Sequence, residues 1–178
     1  WLVIFAFTSK IFIPHDVVMI ASPAPTSTRM PDHSGWILIA VTLVRTAIAR
    51  KHQVWIVEDD LYSAFATGNA PPPLTSYAPE RCFYINGASK ALAPGLRTGF
   101  LLVPDETHLD NVLRLIRARI YSPPAMGSLI TCQWIEDGSA DEIIAETHTE
   151  MIARNAMAAE RLGSAISPPA DSRCPHLW

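Results

Sequence analysis

Short apolar runs alternate along the chain with segments of helical periodicity, the pattern of an α/β protein. Four runs predict strands: 16–22, Val54–Val57, Cys82–Ile85 and Gly99–Val103. The run Val54–Val57 is continuous, β-branched and aromatic, as in a strand covered on both faces of a parallel sheet. We therefore expect an α/β fold with a mainly parallel sheet and flanking helices.

One segment between these strands and one after the last of them predict helices. Trp36–His52 has a helix's length, ends in basic residues and is apolar on most sides, so we expect it to be buried or partnered. Asp105 can cap a helix that runs to about Ile120. The apolar stripe of that helix consists of Leu109, Val112, Leu113 and Ile116.

The C-terminal part of the chain predicts two further helices. One covers about Leu129–Glu136, and a longer one runs from about Ala140 to Leu162 and stops at Gly163. The sequence Ser139–Glu142 reads as a capping box that opens the longer helix. Earlier in the chain, the Pro-rich segment 68–80 predicts a surface excursion that is neither helix nor strand.

Composition excludes several classes of function. A hydrophobic fraction of 49% indicates a globular protein, and only 17% charged residues predict that much of its surface is covered. A net charge of −3 gives no electrostatic reason to expect binding to nucleic acid. We therefore interpret the three arginines of the helix after Asp105, Arg114, Arg117 and Arg119, as a solvated helix face. Lys10 and Asp16 interrupt the apolar start before the ~20 residues that a membrane span needs.

The cysteines and histidines predict neither disulfides nor a metal site. Three cysteines without a CxxC pair are typical of a reducing compartment, so we expect a cytoplasmic protein. The six histidines have no metal-binding spacing. Apolar residues at both ends of the chain, Trp1 and Trp178, lead us to expect a part of a longer protein.

Two polar segments carry the candidate chemistry. Glu58, Asp59 and Asp60 directly follow a predicted strand, at the sheet edge where α/β proteins bind ligands, although a solvated acidic loop would have the same sequence. Further along, Lys90 precedes a Pro-Gly turn and Arg97 follows it.

Together, EDDLY (58–62) and SKALAPGLRTG (89–99) resemble the fold-type-I pyridoxal-phosphate (PLP) enzymes, the aspartate aminotransferase superfamily. Within it, they are most similar to the branch with 2-aminoadipate and kynurenine aminotransferases and MocR-type regulators. The resemblance covers about 54–163 and implies an incomplete large domain. It assigns 1–50 to a poorly matched N-terminal part, 51–138 to the PLP-binding core, and 139–178 to a connecting helix and the start of a truncated small domain.

The resemblance implies a role for each of five residues. Lys90 would hold the PLP aldehyde as a Schiff base, which a lysine forms when its nitrogen is neutral. Asp59 would keep the pyridine nitrogen protonated, and Tyr62 would donate to the phenolic oxygen. Arg97 would bind the phosphate, with the Ser89 hydroxyl as a second donor.

Simpler interpretations of these residues stay open. Asp59 could cap the next segment, Tyr62 could be a half-buried packing residue, and Arg97 could pair with Asp105. Each of these roles is common for its residue type in any folded chain.

For function, the resemblance implies PLP-dependent transfer of an amino group between an amino acid and a 2-oxo acid, in a homodimer. Two alternatives remain open. The chain could be the PLP-sensing or amine-sensing domain of a MocR-type transcriptional regulator, this segment itself making no nucleic-acid contact. It could also be a catalytically inactive, truncated remnant.

The chain also departs from the family pattern. Gly87 stands where the family usually has a phosphate-binding Ser or Thr, and Ala24–Ser27 is the nearest match to the family's N-P-T-G turn. Residues 1–50 contain neither the expected glycine-rich phosphate loop nor a stacking aromatic. Because donors are missing, we expect PLP binding to be weak.

Overall fold

The chain forms a five-stranded sheet with helices packed against it. A computed structural model describes residues 2–5, 17–21, 34–66, 72–122, 125–167, 169 and 171–177. The strands are β1 (Leu2–Phe5), β2 (Val17–Ala21), β3 (Trp55–Asp59), β4 (Cys82–Gly87) and β5 (Gly99–Leu102). The helices are α1 (Ser34–His52), α2 (Ala88–Ala91), α3 (Glu106–Ile120), α4 (Ala125–Glu136) and α5 (Ser139–Leu162).

The sheet has the strand order β1-β5-β4-β3-β2. Strands β2, β3 and β4 pair in parallel, while β5 is antiparallel to both of its neighbours, β4 and β1. Four of the five described strands therefore run in one direction, and the predicted α/β fold with a mainly parallel sheet is confirmed. The reversal of β5 follows from its short connection to β4, which leaves no room for a helical crossover.

Helix α3 covers one face of the sheet. Its predicted apolar stripe packs on a cluster formed by Ile85, Leu101 and Val103. Asp105 caps the helix by accepting the His108 backbone N–H at 2.9 Å, as predicted from the sequence. These contacts fix β4 and β5 side by side.

Helix α1 covers the opposite face through a narrow stripe. Ala49 packs with Ile56, Cys82 and other residues in a second core cluster. The predicted helix is confirmed. Among its described side chains, this chain buries those on one side, and the expectation that a partner covers the others stays a prediction. Val44 and Ile48 are 58% and 52% exposed, because a single sheet face covers only one side of a helix.

The Pro-rich segment is not the surface excursion that the sequence predicts, at least over its described residues from 72 onward. Leu74 and Ala78 are buried in the same core cluster as Ala49. The segment contains two 3-10 turns, Leu74–Ser76 and Pro79–Arg81. Proline prevents regular pairing here, yet Leu74 and Ala78 still reach the core.

The long helix α5 is confirmed, but its predicted capping box is wrong. Gly138, at φ +86°, is the N-cap, and its carbonyl accepts the N–H groups of Asp141 and Glu142. Because Gly138 adopts this left-handed conformation, the Ser139 N–H donates to the Asp137 carboxylate instead, at 3.0 Å. At the other end, Gly163 ends the helix at φ +53°, as predicted.

Among the described residues, no helix combines the length and apolarity that crossing a membrane requires.

The cysteines provide a test of this packing. Burial raises the pKa of the Cys82 thiol to about 11, and the charge of Glu58 adds to the shift. Near pH 8, Cys82 therefore stays protonated, whereas Cys132 is only half-buried. We expect iodoacetamide to label Cys132 much faster than Cys82 or Cys174, measured by peptide mass spectrometry. Labelling of all three in denaturant is the control, and equal native rates for Cys82 and Cys132 would contradict the packing.

Candidate functional site

A cavity of about 260 Å³ opens at one edge of the sheet. It lies where β3 and β4 end and β5 begins, the edge at which α/β sheets bind ligands. Four of the five residues that the sequence analysis assigned to a cofactor line this one cavity: Asp59, Ser89, Lys90 and Arg97. The remaining lining residues are Leu61, Ile85, Asn86, Gly87, Thr98 and Gly99.

The three consecutive carboxylates at the end of β3 have different surroundings. Asp59 lines the cavity, and its Oδ1 also accepts the Leu61 N–H at 3.3 Å. Glu58 points to the other face, because successive side chains alternate across a strand. Glu58 is 2% exposed, so the alternative of a solvated acidic loop is wrong for this residue.

Glu58 anchors the Pro-rich segment to the sheet. Its two carboxylate oxygens accept the backbone N–H groups of Leu74 at 2.7 Å and Thr75 at 3.0 Å. The Thr75 hydroxyl donates a third hydrogen bond at 2.8 Å. These bonds compensate the burial of a charge and hold the segment beside the strand that carries Asp59.

Asp60 takes part in a polar network beside the cavity. It accepts the Tyr84 hydroxyl at 2.8 Å. Burial and this hydrogen bond raise the pKa of Tyr84 to about 12, so that Tyr84 remains a donor. The Asn86 side chain donates to Tyr84 and Ser63, and its carbonyl oxygen accepts the Gly87 N–H at 2.7 Å. The network thus fixes the end of β4.

The loop between β4 and β5 carries the other polar groups of the cavity. Ser89 and Lys90 lie on the short helix α2 directly after β4. The 3-10 turn Pro94–Leu96 then reverses the chain, and Arg97 follows in the left-handed conformation, at φ +50°. The side chains of Lys90 and Arg97 are both exposed towards solvent, so a ligand could reach them.

Tyr62 lies beside Lys90 rather than in the cavity lining. The Lys90 Nζ is 5.7 Å from the centre of the Tyr62 ring. On another side, the His176 ring packs edge-on against Tyr62 at 4.7 Å. Sequence reasoning missed His176, because it assigned 139–178 to a connecting helix and the start of a truncated small domain. His176 and Leu177 are irregular, and no described strand pairs with them.

A second histidine that the sequence did not reveal joins α5 to the same region. The His148 ring nitrogen Nε2 is 2.7 Å from the carbonyl oxygen of Ala64, and the ring packs against Phe65. Asn155, also on α5, donates to the carbonyls of Ser172 and Cys174. Helix α5 thereby places the segment that carries His176 next to Tyr62.

Gly87 occupies a tight position between β4 and β5. A Cβ there would lie 3.1 Å from Leu61 Cδ2 and 3.2 Å from the Thr98 carbonyl oxygen. A serine or threonine at this position would therefore press on both neighbours. Gly87 therefore lies at a point where its neighbours leave little space for a side chain.

Comparison with known proteins places the chain in its family context. The family described as "Aminotransferase class I and II" matches residues 34–170. YdeF of Bacillus subtilis, named as an uncharacterized HTH-type transcriptional regulator, is 31% identical over 107 residues, 60% of this chain and 22% of its own. The uncharacterized aminotransferase SSO0104 of Saccharolobus solfataricus is 39% identical over 61 residues, 33% of this chain and 15% of its own.

Solved structures share the fold. Aspartate aminotransferase from Thermus thermophilus with maleate superposes with a TM-score of 0.69 at 21% identity, over 88% of this chain and 40% of the enzyme. The chain thus spans about a fifth of YdeF and about two fifths of this enzyme.

The buried carboxylate of Glu58 leads to a stability prediction. In Glu58→Gln an amide group faces the N–H donors of Leu74 and Thr75, which leaves buried donors unpaired. We expect a loss of about 2 kcal/mol in the free energy of unfolding, measured by urea denaturation. The control is Glu80→Gln, whose partner Arg50 is bound at the surface and whose loss should be much smaller. Equal effects of the two substitutions would contradict the anchoring role of Glu58.

Proposed function

Because this chain belongs to the class I and II aminotransferases, which match it over residues 34–170, we propose that it forms the coenzyme-binding part of an aminotransferase. The proteins of this family depend on PLP. The observation that carries the proposal is the cavity that gathers Asp59, Ser89, Lys90 and Arg97 at one sheet edge.

The donor set of this cavity fits PLP. An amine, a carboxylate, a hydroxyl and a guanidinium line a single space, and PLP has an aldehyde, a ring nitrogen and a phosphate that pair with such groups. The volume of about 260 Å³ is at the small end for a ligand site. Gly87 provides no hydroxyl, so Ser89 and Arg97 are the phosphate donors that we propose.

Each residue then has a specific task. Lys90 supplies the nucleophilic amine that holds the coenzyme and, when free, moves a proton at the α-carbon of the amino acid. Asp59 keeps the ring nitrogen protonated by its negative charge. Arg97 offers a permanent charge and a planar pair of donors to the phosphate. When bound, PLP supplies the electron sink for the α-carbon.

The position of Tyr62 supports a tuning role for its hydroxyl. Its ring is adjacent to the Lys90 ammonium, an arrangement in which the ring face attracts a cation. We propose that Tyr62 donates to the phenolic oxygen of the coenzyme and that its ring restrains the lysine. His176 and Phe65 pack against this ring and limit its rotation.

The substrates that we propose are an amino acid and a 2-oxo acid, and the proposed assembly is a homodimer.

A second candidate function is supported by the similarity to YdeF, a protein named as a transcriptional regulator. In this alternative, the domain binds PLP or an amine and signals rather than transfers the amino group.

Trapping with borohydride tests the proposal. Reduction in the presence of millimolar PLP should attach a pyridoxyl group to Lys90, detected by peptide mass spectrometry, because Lys90 lines the same cavity as the proposed donors. The sequence has two other lysines, Lys10 and Lys51, which serve as internal references. Lys90→Ala should abolish the site-specific adduct and Lys51→Ala should leave it unchanged. Equal labelling of Lys51 and Lys90 would contradict the proposal.

The PLP-loaded chain, taken before reduction, separates the two candidate functions. An aminotransferase should release a 2-oxo acid from at least one amino acid of a panel, in an amount that matches the bound PLP. A sensing domain should bind PLP through Lys90 and release none.

A further inference from the structure

Arg97 is held in an unfavourable backbone conformation. Its φ of +50° and ψ of 28° lie in the left-handed region, which residues with a side chain seldom occupy. Such conformations persist where the surrounding structure fixes them, and they cluster at functional sites. The contacts of the Leu96 carbonyl and of Thr98, the residues before and after Arg97, show how it is fixed.

The preceding peptide group is pressed against helix α4. A Cβ built on Gly127 would overlap the carbonyl oxygen of Leu96 and lie 2.9 Å from its carbonyl carbon. Only a glycine therefore allows the α4 backbone to approach this carbonyl so closely. The same carbonyl accepts the Thr98 hydroxyl at 3.1 Å.

Two further contacts complete the arrangement. The fully buried Thr131 donates its hydroxyl to the Gly127 carbonyl at 2.8 Å, which ties the contact point to the next turn of α4. On the other side of Arg97, the Thr98 carbonyl accepts the N–H of Ala88 at 3.0 Å. Ala88 is the first residue of α2, the helix that carries Lys90.

We propose that Gly127 and Thr98 are positioning residues that fix Arg97 relative to Lys90 and thereby set the affinity for the phosphate of the coenzyme. Neither residue needs to contact the phosphate. Gly127 acts through the Leu96 carbonyl, and Thr98 acts through its hydroxyl on the same carbonyl and through its own carbonyl on the Ala88 N–H. A preorganised guanidinium loses less entropy on binding, so a displaced one binds the phosphate less tightly. This inference rests on the proposed function.

The proposal predicts a phosphate-specific defect. Gly127→Ala should displace the Leu96 carbonyl and Arg97 with it, and leave Asp59 and Lys90 on their own strand and helix. We expect the apparent Kd for PLP, taken from the concentration dependence of borohydride trapping on Lys90, to rise at least about tenfold. The Kd for pyridoxal, which lacks the phosphate, should change by less than about twofold.

Gly95→Ala is the matched control. Gly95 lies in the same 3-10 turn, but a Cβ there would meet nothing within 4 Å. This variant should keep both affinities. If Gly127→Ala weakens PLP and pyridoxal equally, or weakens neither, the proposal is wrong.

A second measurement needs no coenzyme. Trypsin cleaves after arginine, and a fixed turn resists cleavage more than a released one. The rate of cleavage after Arg97, relative to that after Arg114 in α3, should rise about tenfold in Gly127→Ala and stay constant in Gly95→Ala. Because cleavage within α3 reports global unfolding, the ratio isolates the local release. A constant ratio in Gly127→Ala would overturn the proposal.

The trapping and trypsin measurements together distinguish a failure of the proposed function from a failure of the positioning role. If the wild-type chain traps no PLP on Lys90, the proposed function fails, and the trypsin ratio still decides whether Gly127 holds Arg97. If Gly127→Ala does not fold, Thr98→Val removes the hydrogen bond to the Leu96 carbonyl without adding volume. It should change both readouts in the same direction, and unchanged readouts would refute the proposal.

Discussion

The antiparallel pairing of β4 with β5 is the constraint on which the candidate site depends. Gly87 pairs with Gly99, and the Thr98 carbonyl accepts the Ala88 N–H at 3.0 Å. The chain must therefore reverse between these residues, and the reversal keeps Lys90 and Arg97 at one edge of the sheet. The parallel pairing of β3 with β4 brings the end of β3, and Asp59 with it, to that same edge. Two strand pairings thus assemble an acid, an amine and a guanidinium from distant parts of the sequence.

The surroundings of the cavity are held by polar groups beside it and on the opposite face of the same strands. Glu58 ties the Pro-rich segment to β3, and the Asp60–Tyr84–Asn86 network fixes the end of β4. Because successive residues of a strand point to opposite faces, neighbouring carboxylates can have separate structural and chemical tasks. Helix α4 adds a contact from outside the sheet, where Gly127 meets the turn before Arg97.

Much of this arrangement could be predicted from the sequence, because local patterns determine local structure. The apolar runs predicted strands β2 to β5, and the capping residue Asp105 predicted the start of α3. The segments EDDLY and SKALAPGLRTG indicated the family. The direction of β5 and the existence of β1 depend on tertiary pairing, which periodicity does not encode. The contacts of Glu58, Gly127 and His176 join residues far apart in the chain, so no local sequence pattern could predict them.

We propose that one cavity holds PLP with its ring nitrogen at Asp59 and its phosphate at Arg97, and that Lys90 is the point of attachment. A crystal structure of the borohydride-reduced adduct tests this most directly. We expect the pyridine nitrogen within hydrogen-bonding distance of the Asp59 carboxylate and the phosphate against Ser89 and Arg97. An adduct on Lys90 whose ring nitrogen faces away from Asp59, or whose phosphate lies outside the β4–β5 loop, would contradict it.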